Sequence, residues 1–431
     1  MPISSHHSRR RFVKSGLSAI LAASVAPQFI SSRLLGQNAP SHRVALGFIG
    51  IGAHGLEVNL MSFLHEADCV ARVVCDVSKT RLQRAKDTVD QHYGNQDCIA
   101  LDDFRAVLAR PDIDAVVIST PDHWHVTMAV MALAAGKRVF CEKPTLTIEQ
   151  GRRLSDAVRK SGLLFATGLE DRAVIQYHMM AEAVRNGAIG ELKRIEVGLV
   201  EKPIFAKEDP APVPADLNYE LWLGPAPFRP YTPTLTDTQV WRQVRDFSGG
   251  SLTDWGAHLV DTAQVANFSE ESSPVAVQGH GFIPPNSIND VPQTYEIDYT
   301  FANGVVMSVA SAGPSLRFEG TDGWIGNKGW LGRLEASDMD IFRRKYDPAA
   351  NKIWPRGPRE QRNFLDCIKT GHAPMYTAEA LHRLSTTLHL GALAMELKRP
   401  LTWDPATESF QDDAQANALR SRLERTDWQR A

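Results

Sequence analysis

Between residues 43 and 168, short apolar runs alternate with amphipathic stretches. Residues 43–49, 70–75, 114–119, 137–141 and 163–167 are mostly apolar, as strands buried on both faces are. Helical patterns separate several of them, up to about residue 65 and over 123–135 and 148–160. Strand alternating with helix predicts a doubly wound parallel sheet. From Glu191 the pattern changes. Residues 192–200, 275–281, 294–301, 305–310 and 316–320 alternate polar with apolar positions, and little helix separates the last four. That predicts an antiparallel sheet attached to the doubly wound one, an α/β unit followed by an α+β unit. Helices are expected again over 363–369 and 378–398, followed by a polar amphipathic tail to Ala431.

A chain of 431 residues suits two domains. Net charge is -3, but the first 40 residues hold Arg9, Arg10, Arg11, Lys14 and Arg33 and no acid. The remainder carries 42 basic and 50 acidic residues, net -8. A mildly acidic body lacks the basic face that a nucleic-acid partner requires. The cysteines Cys69, Cys75, Cys98, Cys141 and Cys367 are odd in number and have no metal-ligand spacing, so no disulfide framework and no metal are expected. Residues 8–14 are charged, and the run 16–26 is too short and too rich in small residues to span a membrane. With Arg9-Arg10-Arg11-Phe12-Val13-Lys14, this leader resembles a twin-arginine export signal, which implies a periplasmic protein exported already folded.

The first strand runs into Gly50-Ile51-Gly52-Ala53-His54-Gly55 and then a helix. That context makes a GxGxxG motif a dinucleotide fingerprint. Gly50 permits the turn, Gly52 lets the backbone approach a pyrophosphate, and Gly55 allows close helix packing. Asp76 ends the second strand about 20 residues on, where an acid accepts ribose hydroxyls and repels a 2′-phosphate, so NAD is expected. Asp76 also suits an N-cap.

Three further edges carry chemistry. Thr120-Pro121-Asp122-His123-Trp124-His125 follows a buried strand, with Asp122 placed to cap the next helix. His125 reads either as a group facing the nicotinamide or as a structural histidine. Glu142-Lys143-Pro144 ends another strand, and a lysine at that edge can meet a substrate oxygen. Asp254 and His258 lie four apart on one helical face, a spacing that lets a carboxylate orient an imidazole acting as general base. Asp261 shares that face. Eight of the 25 prolines fall within residues 203–233, around Trp222, in a loop that reads as an ordered pocket wall.

The glycine loop with Asp76, the Thr120–His123 edge, Glu142-Lys143-Pro144, and Asp254 with His258 together resemble the Gfo/Idh/MocA family, over nearly the whole chain after residue 40. The resemblance implies catalytic Lys143 and His258 with Asp254 in support. It implies nucleotide contacts from Gly50, Gly52, Ala53, His54, Gly55, Asp76, Thr120, His125, Glu142 and Lys143, and substrate contacts from Arg172, Trp241, Arg242, Asp254 and His258. It also implies a homodimer or homotetramer through the antiparallel sheet. The expected units are a leader and spacer over 1–40, a Rossmann domain over 41–168, a substrate and oligomerisation domain over 169–405, and a helical tail over 406–431. The expected activity is NAD-dependent oxidation of a secondary hydroxyl of a sugar or polyol, with the cofactor held and recycled in place. Two alternatives share the site: a redox-neutral glycoside hydrolase working through a 3-keto sugar, and a sugar sensor without catalysis.

Overall fold

The structure is a computed structural model describing residues 43–430, so the leader lies outside the described residues. Six strands form the first sheet: β1 (Val44–Ile49), β2 (Cys69–Cys75), β3 (Ile99–Leu101), β4 (Ala115–Ile118), β5 (Arg138–Glu142) and β6 (Phe165–Gly168). All pair in parallel in the order β3-β2-β1-β4-β5-β6. Leu46, Val73, Val74, Val116, Val117, Val139 and Phe140 are fully buried, which explains why these strands read as unbroken apolar runs. The order reverses between β1 and β4, and a ligand crevice forms at such a switch point, outside the strands' carboxyl ends. The glycine loop, Asp76, the Thr120–His125 segment and Glu142-Lys143-Pro144 all emerge there.

Helices cover this sheet. After β1 a helix runs through a π-helical segment, Gly55–Leu60, into Met61–Leu64. α1 (Lys79–Tyr93) is capped by Ser78, whose hydroxyl accepts the Arg81 N–H, so Asp76 is not the cap. α2 (Asp122–Ala134) takes Pro121 as N-cap, and Asp122 is not the cap either: its carboxylate accepts the Ser248 hydroxyl at 2.6 Å. α3 (Ile148–Ser161) follows β5 and is capped by Thr147.

The second sheet has nine strands in the order β13-β12-β11-β7-β10-β9-β8-β14-β15, with β12 (Gly323–Lys328) and β13 (Leu334–Ala336) at one edge and β14 (Leu401–Asp404) and β15 (Ser409–Phe410) at the other. Its centre is β7 (Leu192–Leu199), β8 (Ala276–Phe282), β9 (Thr294–Thr300), β10 (Val306–Ser311) and β11 (Ser315–Gly320). It is mixed rather than wholly antiparallel, because β7 and β10 run parallel. The long excursion between β7 and β8 is the crossover that a parallel pair needs. Tyr295, Ile297, Tyr299, Met307, Val309, Leu316 and Phe318 point to one face. Helices α4 (Ile175–Arg185), α5 (Gly250–Ala266) and α6 (Ala378–Leu397) bury that face in one core.

The chain then returns to the first sheet. Phe364, on the helix Glu360–Thr370, packs edge-on to Phe63 and Phe140 with centroids 6.3 and 5.6 Å away. Trp428 stands edge-on to Trp124 at 4.7 Å. The segment after residue 406, expected as a helical tail, holds the short strand Ser409–Phe410, one short helix, Ala414–Ala418, and a 3-10 turn.

Candidate active site

A cleft of about 530 Å³ opens at the switch point. Gly50, Gly52, Ala53, His54, Gly55, Asp76, Thr120, His125, Glu142, Lys143, Trp241, Arg242, Asp254 and His258 all line it. Arg172 does not.

The nucleotide side fits a dinucleotide. Gly50 has φ +84°, and a Cβ there would meet the Ser119 carbonyl at 2.9 Å. A Cβ on Gly55 would strike the Gly50 oxygen at 2.1 Å. At Gly52 a Cβ would meet nothing within 4 Å, so this glycine faces open space a ligand can fill. Asp76 accepts the Ile51 N–H at 2.7 Å and the Ser78 N–H at 2.8 Å, tying the glycine loop to β2. Burial pushes its carboxyl up, and those two N–H donors oppose the shift. Thr120 Oγ1 is buried at the same cleft with no hydrogen-bond partner among the described residues.

Glu142 accepts from Asn59 Nδ2 at 2.8 Å and lies 3.1 Å from His54 Nε2. Burial opposes its charge, yet His54, Asn59 and Lys143 hold it down at about 2. The Glu142 charge raises His54 in return. His125 is more enclosed than a group free to work at the cofactor. Its ring nitrogens lie 2.9 Å from the Pro144 carbonyl and 2.8 Å from the Thr120 carbonyl, so it ties the β4 edge to the β5 edge. His123 meets the Trp222 carbonyl at 3.0 Å, which docks the proline-rich loop and makes Trp222 part of the wall.

On the substrate side Lys143 Nζ donates to the Asp254 carboxylate and to its carbonyl oxygen, both at 2.9 Å. Lys202 Nζ reaches the other carboxylate oxygen at 3.0 Å, and Arg242 Nε stands 3.5 Å away. Burial raises Asp254, but these three cations hold it well below the usual carboxylate range. Burial lowers Lys143, but the Asp254 charge and its hydrogen bond, with help from Glu142, together raise it above the ordinary lysine value. Arg242 lies over the Trp241 ring, 4.4 Å from its centroid.

Asp254 does not hold His258. The imidazole Nδ1 lies 2.9 Å from Asp171 Oδ2 and 3.6 Å from Glu170. Four residues of helix put the two side chains on one face, but the Lys143 ammonium draws Asp254 away. Burial, then the Lys143 charge, brings His258 down to about 4, so it is neutral at pH 7. Trp330 stands edge-on to it at 5.0 Å. Donor atoms of Glu170, Asp171 and His258 lie within 4.8 Å of one another, the one such group among the described residues. The Lys143 charge, which bears on both Asp171 and His258, opposes a dication there.

Arg172 is corrected from substrate contact to internal brace. Its Nε and Nη2 donate to Asp261 at 3.1 and 2.8 Å, and Nη1 donates to the Met375 carbonyl at 2.7 Å. Tyr376 completes the enclosure, donating to Asp261 at 2.8 Å. Glu170, Asp171, Lys202 and Trp330 were missed. Glu170 and Asp171 lie just past β6, and Lys202 just past β7, so attention to strand ends would have found those three; Trp330 gave no local signal.

Residues 44–169 match a family model described as the oxidoreductase family, NAD-binding Rossmann fold, and residues 204–430 match its C-terminal alpha/beta domain. A glycosyl hydrolase family 109 protein of Shewanella putrefaciens is 30% identical over 190 residues, covering 42% of this chain and 40% of that protein. A relative of the same description from Shewanella sp. MR-4 is 31% identical over 190 residues, with the same 42% and 40% coverage. The match thus spans about two fifths of those relatives' length. Among solved structures, the WlbA dehydrogenase of Bordetella pertussis, in complex with NADH and UDP-GlcNAcA, superposes with TM-score 0.64 at 16% identity, covering 84% of this chain and 99% of that one. The aldose-aldose oxidoreductase of Caulobacter crescentus, complexed with glycerol, gives 0.60 at 19% identity, with 84% and 99% coverage. These likenesses establish the fold.

Proposed function

This chain belongs to the Gfo/Idh/MocA oxidoreductase family and binds NAD, and we propose that it oxidises a secondary hydroxyl of a sugar or polyol. The observation that carries the reading is that Lys143, fixed on Asp254 at 2.9 Å, and His258, fixed on Asp171 at 2.9 Å, line one cleft with the glycine loop. When bound, the nicotinamide supplies the hydride acceptor. Lys143 donates to the substrate oxygen and stabilises negative charge developing on it. His258 takes the hydroxyl proton. Its Nδ1 is engaged by Asp171, so Nε2 is the atom available to the cleft. Asp254 keeps Lys143 charged and aimed, while Lys202 and Arg242 keep Asp254 ionised. Trp255 and Trp330, edge-on at 5.3 Å, offer an apolar wall for a sugar ring.

The glycosyl hydrolase relatives favour a second reading of the same site. There oxidation at C3 acidifies the C2 proton, the leaving group departs from C1, water adds, and C3 is reduced again. The arginine pair Arg9-Arg10 supports twin-arginine export, and a periplasmic enzyme needs to regenerate its nicotinamide in place, either by passing the hydride to a second, carbonyl sugar or by the redox-neutral cycle above. Replacing both arginines with lysine is expected to retain the protein in the cytoplasm, as read by fractionation.

The test is incubation of purified protein with free sugars and aryl glycosides, without added cofactor. Reduction of bound nucleotide by a free sugar, reversed by a carbonyl sugar, supports the oxidoreductase. Release of the aryl alcohol without net redox change supports the hydrolase and overturns the first reading. Tight sugar binding with neither reaction points to a sensor.

A further inference from the structure

A second cavity of about 400 Å³ shares no lining residue with the cleft. One wall is Leu146–Ile148, just past Lys143. Another is Gly249 and Leu252, at the start of α5, the helix that carries Asp254 and His258. The rest is largely apolar, with Val291, Leu393, Met395 and Leu419 among the lining groups.

Its charges are unequal in their satisfaction. Arg245 pairs with Glu396 at 2.6 Å. Asp290 accepts the Arg245 N–H at 2.5 Å and pairs with Arg229 at 3.2 Å. Arg422 donates only to the Arg245 carbonyl, and among the described residues no carboxylate pairs with it. Burial, then the neighbouring Arg245 charge, brings this guanidinium down to about 10. His389 gives Nε2–H to the Thr145 carbonyl at 2.8 Å, which leaves Nδ1 without a proton. Burial and Arg422 keep the ring neutral, lowered to about 3.

Glu396, Asp246 and Asp290 bear on this guanidinium from a distance, but none is hydrogen-bonded to it, and its planar fork matches a carboxylate. The volume lies in the range of small-molecule sites, where an apolar lining and a few polar groups set the ligand's class. Glu396 and Asp290 disfavour a dianion such as phosphate. We propose that this cavity binds a small monocarboxylate with an apolar body, its carboxylate on Arg422 and its body against Leu252, Val291 and Leu393. An occupant touches the segments leading to Lys143 and to Asp254.

Octanoate is the probe, with octan-1-ol as its uncharged counterpart, titrated calorimetrically into the full chain. Saturable binding of one octanoate per chain is expected. Arg422→Gln is expected to weaken octanoate by about 10- to 100-fold, the range for a hydrogen bond to a charged group, and to leave octan-1-ol unchanged. Ala392→Leu, which takes space from the cavity, should weaken both. If Arg422→Gln fails to fold, Arg422→Lys keeps the charge without the fork and should still weaken octanoate. Absence of saturable octanoate binding, or equal octanoate affinity in wild type and the folded Arg422 variant, overturns the proposal. Binding is read directly, so the result does not depend on which sugar the cleft accepts.

Discussion

Two buried ion pairs sit on α5, two helical turns apart, and they differ in one respect. Asp261 meets one cation, Arg172, with Tyr376 and the Met375 carbonyl closing around the pair. Asp254 meets three cations, Lys143, Lys202 and Arg242, at the wall of an open cleft. The closed pair is balanced and braces the core. In the open cluster three cations share one carboxylate, and Lys143, Lys202 and Arg242 all line the space where a substrate oxygen would sit. Burial alone therefore does not mark a functional ion pair; an unbalanced count beside a cavity does.

The sharpest way to break this contrast is at the open end. Lys143→Ala and His258→Ala are each expected to slow hydride transfer by about 10²- to 10⁴-fold while nucleotide stays bound. Single-turnover absorbance of the bound nicotinamide reads the first effect, and nucleotide content after desalting reads the second. Retained turnover in Lys143→Ala would remove the ammonium from the chemistry.

At the closed end the expectation is reversed. Arg172→Met leaves Asp261 unpaired and should cost about 3–5 kcal/mol of stability. Adding Asp261→Leu should restore much of it, since an apolar pair of similar volume replaces the ions. Denaturant unfolding measures both. Lost sugar turnover in an Arg172→Met protein of unchanged stability would return Arg172 to the substrate site.

Acid sharpens the contrast further. His258 and His123 are held near 4 and His389 near 3, chiefly by burial. An unfolded chain binds protons at these positions near pH 6.5, and the folded one does not until its own lower values. The unfolded state thus binds more protons between about pH 6.5 and 4, and stability falls as pH drops through that window. Hydride transfer should hold its plateau above about pH 5 and decline toward 4 as His258 protonates. Asp171→Asn should move that limb, because it changes the group on Nδ1; an unmoved limb would separate Asp171 from the imidazole.

The smallest effect lies at the nucleotide edge. Asp76→Ala should weaken NAD by about tenfold and reduce discrimination against NADP. Comparing the two dissociation constants checks it, and NADP already tighter in wild type would contradict the assignment.

Local pattern was enough for the first sheet. Five of its six strands are buried on both faces, so composition alone marks them, and the fingerprint needs only consecutive residues after β1. The nine-stranded sheet was legible in its central five strands, where Tyr295, Ile297 and Tyr299 alternate with polar neighbours. β12 (Gly323–Lys328) and β13 (Leu334–Ala336) escaped notice, because glycine and polar residues blur their period.

The residues of the nucleotide edge and Lys143, Asp254 and His258 were in view from the sequence, because strand ends and glycine turns are local features; Glu170, Lys202 and Trp330 on the same wall were not. Nor were the partners that these side chains take. Helical spacing placed Asp254 and His258 on one face, and it cannot say that Lys143, 111 positions away, would claim the carboxylate. Nor can it say that Asp171 would take the imidazole or that Asp261 would close over Arg172. Backbone periodicity determines which residues share an element. The choice among rival ion pairs is made by distance and burial between elements far apart in the chain, and only the packed tertiary structure holds that information.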